Sequence, residues 1–135
     1  MITRQQLEAV VKHSNTEAIV IRTLPNSTEK LTHHYSNTNP AYLDHEAAQW
    51  LVSRNIKHLL LDLPSVDREK DEGKLLAHHA FWQYPQATRT DCTITEMIFV
   101  PQNIDDGLYL LNIQITALEN DASPSKPVLY RLMEI

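Results

Sequence analysis

The segment that decides the fold runs from His58 to Glu96 and opens with the apolar run HLLLDL (58–63). A Pro-Ser pair ends this run, which indicates a buried strand that stops at a turn. A charged loop and the sequence LLAHHAF (75–81) follow, and Glu96 then begins a second apolar run. Asp, His and Glu therefore stand at the ends of apolar elements, and these residue types bind metal ions once a fold gathers them.

The residues before this segment predict a β-α-β unit. Residues 18–21 (AIVI) form a strand-like apolar run, and residues 45–54 have the apolar spacing of a helix, with Asp44 as a candidate cap. Because this helix separates the strand over 18–21 from the strand over 58–63, we expect the two strands to be parallel. Asn55 suits the end of the helix, where a left-handed residue is common.

The two ends of the chain predict further elements. A short amphipathic helix is expected over residues 3–12, where Thr3 and Gln6 fit a capping box. The second half predicts one or two helical turns and then mostly antiparallel strands. These elements lie over residues 71–81, 94–100, 109–115 and 128–133. The pattern indicates an α/β class with a mixed sheet, in a single domain spanning residues 1–135.

Composition excludes several classes of function. The chain has 135 residues, a net charge of -5 and no cluster of Lys or Arg, which argues against binding to nucleic acid or to an anionic membrane. No apolar run approaches the roughly 18 residues of a membrane span. Cys92 is the single cysteine, so no internal disulfide forms and we expect a cytoplasmic location.

The sequences DLPSVD (62–67) and AHHA (77–80) resemble the cyclase family of metal-dependent hydrolases, which includes bacterial kynurenine formamidase and isatin hydrolase. The resemblance begins near Ala18 and continues through ITE (94–96) and the remainder of the chain. It implies a swivelling β/β/α fold that is usually dimeric. It also implies hydrolysis of an aryl formamide or a small cyclic amide, with zinc or manganese as the cofactor.

The resemblance also assigns site residues. His78 matches a metal-ligand His of the family, and Glu96 matches a metal-ligand Glu. The 18-residue separation of these two residues is longer than expected for the formamidases, and the extra length falls within Gln83–Asp91. No catalytic residue and no substrate-binding residue is assigned in this chain.

One departure from the family is large. The motif His-x-Gly-Thr-His-x-Asp-x-Pro-x-His, which supplies most of the family's metal ligands, does not occur in this sequence. The chain therefore resembles the C-terminal portion of a cyclase, an incomplete domain, and Met1 is a candidate internal methionine of a longer reading frame. Uncovered sheet edges and apolar surface would then favour association, so we expect a homodimer.

Several other residues have two interpretations. Asp62 and Asp67 either hold a ligand His in its orientation or bond the local backbone of a turn. His79 diverges from His78 by about 100° on a helix, so it packs beside the metal site or supports it without binding the ion. Ser65 lacks the Gly-x-Ser-x-Gly pattern of a nucleophile, so we interpret it as a turn residue. Cys92 has no adjacent basic residue that would activate its thiol.

The aromatic residues leave further alternatives. The loop residues His33, His34 and Tyr35 indicate either a second metal site or a polar loop, and the polar loop is the simpler interpretation. The resemblance to the cyclase family implies that this loop approaches the substrate. Trp82 and Tyr84 line either a pocket or a dimer contact. For the whole chain, two hypotheses remain: a metal-dependent amidohydrolase whose other ligands come from elsewhere, or a non-catalytic cyclase-like module.

Overall fold

The computed structural model describes residues 1–13 and 15–133. It contains three α-helices, a 3₁₀ helix and five strands in the described part of the chain. In chain order these are α1 (Arg4–Val10), β1 (Ala18–Ile21), the 3₁₀ helix (Thr28–Leu31), α2 (His45–Ser53), β2 (His58–Leu61), α3 (Leu76–Trp82), β3 (Thr93–Thr95), β4 (Tyr109–Ile115) and β5 (Ser125–Arg131). The α/β class is confirmed, and the strands divide between a parallel and an antiparallel sheet.

The chain separates into two compact units, Met1–Val100 and Pro101–Ile135. The prediction of a single domain over residues 1–135 stays a prediction. None of the described helices has both the length and the apolar character needed to cross a membrane.

The first unit contains a parallel sheet with the strand order β1-β2-β3. The predicted β-α-β unit, with its parallel strands, is confirmed. Leu59 of the central strand pairs with Ile19 on one side and with Ile94 on the other. Leu59, Leu60 and Leu61 are fully buried, which explains why this strand is apolar without alternation.

The predicted strand over residues 94–100 is wrong in length and in direction. β3 covers only Thr93–Thr95, and it runs parallel to β2 because α3 forms the crossover between the two strands. Met97 has a positive φ of 58°, which ends the extended backbone. The backbone then turns so that Met97 N–H donates to the carbonyl of Leu63 at 2.9 Å.

The core of the first unit lies where α2 and α3 pack beside the parallel sheet. Ala47, Ala48 and Leu51 of α2 are fully buried, as the apolar spacing predicts. Phe81 of α3 is the largest fully buried side chain, and burial of such a side chain stabilises the fold by about 1.5–3 kcal/mol. Trp50 is partly buried against the same core.

The predicted cap residues are found at the ends of α1 and α2, but α1 ends at Val10 and α3 begins only at Leu76, so the predicted ranges 3–12 and 71–81 are too long. Thr3 accepts a hydrogen bond from the backbone of Gln6, and the Gln6 side chain accepts one from the backbone of Thr3, which completes the capping box. Asn55 has a positive φ of 60° after α2, as expected for a helix end. Asp44 is the N-cap residue of α2, as predicted. Its carboxylate lies 3.3 Å from the His45 ring, however, and accepts no hydrogen bond from a helix amide.

The second unit is a two-stranded antiparallel sheet in which Leu111 pairs with Leu129. β4 has the predicted bounds, Tyr109–Ile115. The fifth strand begins at Ser125 and ends at Arg131, earlier than the predicted 128–133, because its pairing with β4 starts at Ile115.

Candidate functional site

Three residues named by the sequence meet beside the carboxyl ends of β2 and β3. Asp67 lies in the segment after β2, Glu96 directly follows β3, and His78 lies in the first turn of α3. The carboxyl ends of parallel strands meet at the same edge of a sheet, which is where α/β folds place their ligand sites. The parallel direction of β3 is therefore what brings Glu96 to this edge.

Asp67 holds His78 through a short hydrogen bond. The Asp67 Oδ2 atom lies 2.6 Å from His78 Nδ1, and the Asp67 side chain is only 6% exposed. The same carboxylate also accepts backbone hydrogen bonds from Ala77 at 2.6 Å and from His78 at 3.3 Å. These two amides belong to the first turn of α3 and have no partner within the helix. Asp67 therefore caps the helix and orients the imidazole at once.

The charge of Asp67 is stabilised by these contacts. Burial raises the pKa of Asp67, but hydrogen bonds from the His78 ring and from the amides of Ala77 and His78 lower it further than burial raises it. The net pKa lies below the ordinary value, so the carboxylate is ionised near neutral pH. An ionised carboxylate can only accept a hydrogen bond, so the Nδ1 atom of His78 is the donor in this contact.

The Nε2 atom of His78 lies 3.6 Å from Glu96 Oε1, which is beyond hydrogen-bond distance. Glu96 Oε1 is held by the backbone N–H of Val66 at 2.9 Å. The His78 ring also packs on the indole of Trp82, with ring centroids 5.2 Å apart. The His78 and Glu96 side chains, which face each other across 3.6 Å, are therefore each held in place by neighbouring groups.

We tested whether this pair fits a divalent cation. Two ligand atoms that each lie ~2.1 Å from one zinc ion are roughly 3–3.5 Å apart, close to the 3.6 Å between Nε2 and Oε1. The donors are an imidazole nitrogen and a carboxylate oxygen, and a carboxylate on the far ring nitrogen is common in zinc sites. In the described part of the chain, no group of three or more His, Cys, Asp or Glu side chains is arranged to hold a metal ion. The pair thus fits part of a metal site.

Asp62 lies apart from this pair. Its carboxylate accepts hydrogen bonds from Thr23 N–H and Thr23 Oγ1–H, each at 2.9 Å, and from Lys30 Nζ at 2.7 Å. The Asp62 side chain is 1% exposed and that of Lys30 is 17% exposed. Asp62 therefore forms a buried ion pair that connects β2 with the loop after β1, and its observed hydrogen bonds do not go to His78.

The remaining sequence candidates lie outside the His78–Glu96 pair. The His79 ring packs on Tyr84, with centroids 5.1 Å apart. Ser65 Oγ accepts a hydrogen bond from Asp67 N–H at 3.1 Å, which is a turn contact. Cys92 is buried, and burial raises the pKa of its thiol. The Trp82 indole N–H donates to the Cys92 carbonyl at 3.1 Å.

Sequence reasoning missed one contact at the His78–Glu96 pair and two contacts at Asp62. The backbone N–H of Val66 holds Glu96, and Lys30 and Thr23 hold Asp62. These partners are separated by tens of residues in the sequence, so no local pattern indicates them. Trp82 had a usable signal, because residues four apart on a helix are neighbours and Trp82 follows His78 by four.

Comparison with known families identifies the class. The family described as Putative cyclase matches residues 1–68, which is half of the chain. The chain belongs to this cyclase family. The matched segment contains β1, α2, β2, Asp62 and Asp67, and it ends before His78 and Glu96. No curated protein matches the chain.

Proposed function

We propose that this chain contributes part of the active site of a metal-dependent hydrolase that acts on an aryl formamide or a small cyclic amide. The supporting observation is the arrangement of Asp67, His78 and Glu96, in which one carboxylate orients an imidazole toward a second carboxylate. Membership of the cyclase family supports the same proposal.

The residues have separate roles in this proposal. Asp67 keeps the proton of His78 on Nδ1 and holds the ring plane, so that Nε2 faces Glu96. Val66 N–H restrains the Glu96 oxygen that faces His78. An imidazole nitrogen with a carboxylate oxygen suits zinc or manganese. A divalent cation bound there would act as a Lewis acid on the amide carbonyl.

Two donors are fewer than a catalytic zinc site requires, since three protein ligands are the usual number. We therefore propose that the remaining ligands come from residues outside this sequence, either from another segment or from another chain. The expected homodimer is one way to supply them. The homodimer, the cytoplasmic location and the amide substrate stay predictions.

Zinc and manganese affinity, measured by competition with a chelator of known affinity, tests the metal part of this proposal. His78→Ala and Glu96→Ala should each weaken binding at least about tenfold, because each removes one of the two metal-binding side chains that the described residues offer at this site. His79→Ala is the matched control, since this neighbouring His packs on Tyr84 and should leave affinity unchanged. Equal affinity in all three variants would contradict the assignment of the ligands.

Substrate turnover tests the hydrolase part. A longer protein that contains this segment together with the family's His-rich motif should hydrolyse formanilide, and His78→Ala should abolish that activity. Unchanged metal content and unchanged hydrolysis in His78→Ala would rule out the proposed role.

A non-catalytic module is the second candidate, and it is favoured by the observation that the described residues offer only two donors at the site. Measurable formanilide hydrolysis by the 135-residue chain alone would exclude this candidate. Absence of hydrolysis, combined with zinc affinity that is unaffected by Glu96→Ala, would favour it.

A further inference from the structure

A second feature lies at the same edge of the parallel sheet. A groove of about 390 Å³ is formed by the loop that follows β1 and by the end of β2. Its lining includes Thr23, Lys30, His33, Tyr35, Pro40 and Leu63. Leu63 also accepts the backbone hydrogen bond of Met97, which adjoins Glu96, so the floor of the groove is bonded to the strand end that carries the candidate metal ligand.

The wall of the groove is aromatic and aliphatic. The rings of His33 and Tyr35 meet edge to face with centroids 4.5 Å apart. Leu24, also in the lining, is 84% exposed and adds apolar surface to the groove. Burial and the nearby Asp62 charge raise the pKa of Tyr35, so its hydroxyl is neutral near pH 7. Edge-to-face rings of this kind are a favourable surface for another aromatic ring.

The cation in the groove is already neutralised. The Lys30 ammonium has three donors, and it contacts three acceptors: the Thr23 carbonyl at 2.6 Å, Thr23 Oγ1 at 3.0 Å and Asp62 Oδ2 at 2.7 Å. The exposed Glu29 carboxylate also lines the groove. A negatively charged ligand would therefore find no spare hydrogen-bond donor on Lys30 and would face a carboxylate.

The loop that forms the wall is tied down by Glu69. One carboxylate oxygen accepts the backbone N–H of Asn37, and the other accepts the backbone N–H of Asn39 at 2.8 Å. Asn37 and Asn39 both have positive φ, which turns their amides toward one acceptor. Glu69 follows Asp67 by two residues, so this contact connects the groove wall to the segment that orients His78.

We propose that this groove is the subsite for the uncharged aromatic part of the substrate, and that Glu69 is a positioning residue that holds its wall. The substrate role rests on the proposed hydrolase function, whereas the ring-binding property does not. The lining combines rings with a neutralised cation and a carboxylate, so it fits a neutral aryl group, and the amide attached to that group comes from the proposed function.

A titration of the labelled chain with benzamide tests the subsite. Amide NMR spectra monitor the binding, and a metal chelator is present throughout. Saturable shifts are expected at Tyr35, Thr38 and Leu63. Acetamide, which lacks the ring, and benzoate, which is an anion, should each bind at least about tenfold more weakly. No saturable shift with benzamide, or equal binding of benzoate, would overturn the proposal.

Matched variants test the two parts of the proposal. Tyr35→Leu should weaken benzamide binding about fivefold to tenfold, whereas Tyr84→Leu, which alters a tyrosine packed on His79, should not. Glu69→Gln should accelerate hydrogen exchange at Asn37 and Asn39 and weaken benzamide binding. Glu72→Gln is the control, because the Glu72 carboxylate pairs with Lys74. Equal behaviour of the Glu69 and Glu72 variants would remove Glu69 from the proposal.

These measurements separate the two proposals. A chain that binds benzamide in the groove, but binds zinc independently of His78 and Glu96, keeps the subsite and loses the metal assignment. A chain that binds zinc through His78 and Glu96, but shows no benzamide shifts, keeps the metal assignment and loses the subsite.

Discussion

Asp62 and Asp67 follow the same strand and are both buried, yet the two carboxylates stand in opposite situations. Asp62 accepts three hydrogen bonds, from the N–H and hydroxyl of Thr23 and from the Lys30 ammonium, and these three residues form what we call the closed cluster. Asp67 bonds a histidine whose other nitrogen faces Glu96 across 3.6 Å. The closed cluster connects β2 to the loop after β1. In the second group, which we call the open cluster (Asp67, His78 and Glu96), the His78 nitrogen and the Glu96 oxygen face each other without a hydrogen bond. Burial of an acid alone therefore does not mark a site.

The largest effect is expected from breaking the closed cluster. Asp62→Ala removes the partner of the largely buried Lys30 ammonium and should cost about 3 kcal/mol of unfolding free energy, measured by urea denaturation. Asp91→Ala is the control, because the exposed Asp91 carboxylate lies 3.9 Å from Lys57 and should cost nothing measurable. Equal losses for both variants would refute the distinction between the buried and the exposed pair.

A smaller loss is expected from the open cluster. Asp67→Asn keeps an oxygen for the amides of α3 but loses the charge-assisted bond to His78, so the expected cost is about 1.5–3 kcal/mol. Zinc affinity should fall about tenfold or more in the same variant, because the imidazole loses its orientation. If zinc affinity did not change, Asp67 would be a helix cap and nothing more.

Glu96→Gln should cost about 1 kcal/mol or less, because the amide oxygen still accepts the Val66 N–H at the same position. Urea denaturation measures this cost, and metal titration measures the companion loss of affinity. This combination, a small stability loss with a large affinity loss, would sharpen the contrast with Asp62. A stability loss as large as that of Asp62→Ala would make Glu96 a structural residue.

The smallest effect concerns the exposed Glu69 carboxylate. Hydrogen bonds from the amides of Asn37 and Asn39 lower the pKa of Glu69 below its ordinary value of 4.5. Because the folded pKa is depressed, the contact is fully present above that ordinary value and is lost as the pH falls through the folded pKa. The Asn37 and Asn39 amide signals should therefore titrate below pH 4.5 in NMR spectra. Titration at or above 4.5 would contradict the contact.

Much of the fold of the first unit followed from local patterns. The capping box at Thr3, the strand over Ala18–Ile21 and the left-handed Asn55 are each specified by neighbouring residues, and all three are confirmed. The parallel pairing of β1 with β2 also followed, because a helix lies between them. The direction of β3 could not be predicted in this way, because the sequence of the short α3 did not identify this helix as a crossover connection.

The candidate site divides in the same way. The residue types of Asp67, His78 and Glu96, and their places at element ends, were readable from the sequence and its resemblance to the cyclase family. The sequence left Asp62 and Asp67 equivalent, since both are acids beside a Pro-Ser turn. Their difference comes from residues far away in the chain, namely Lys30 for Asp62 and His78 for Asp67.

By itself, the sequence determined most of the helices and strands of the first unit, the burial of β2 and which side chains are capable of binding a metal ion. These properties depend on hydrophobic spacing and on turn and cap residues within a few positions of each other. Only the tertiary structure decided that Asp62 belongs to the closed cluster and Asp67 to the open cluster. It also decided that Glu69 holds the loop beside the groove. The reason is that hydrogen bonds and ion pairs act over a few ångströms in space, whatever the distance along the chain.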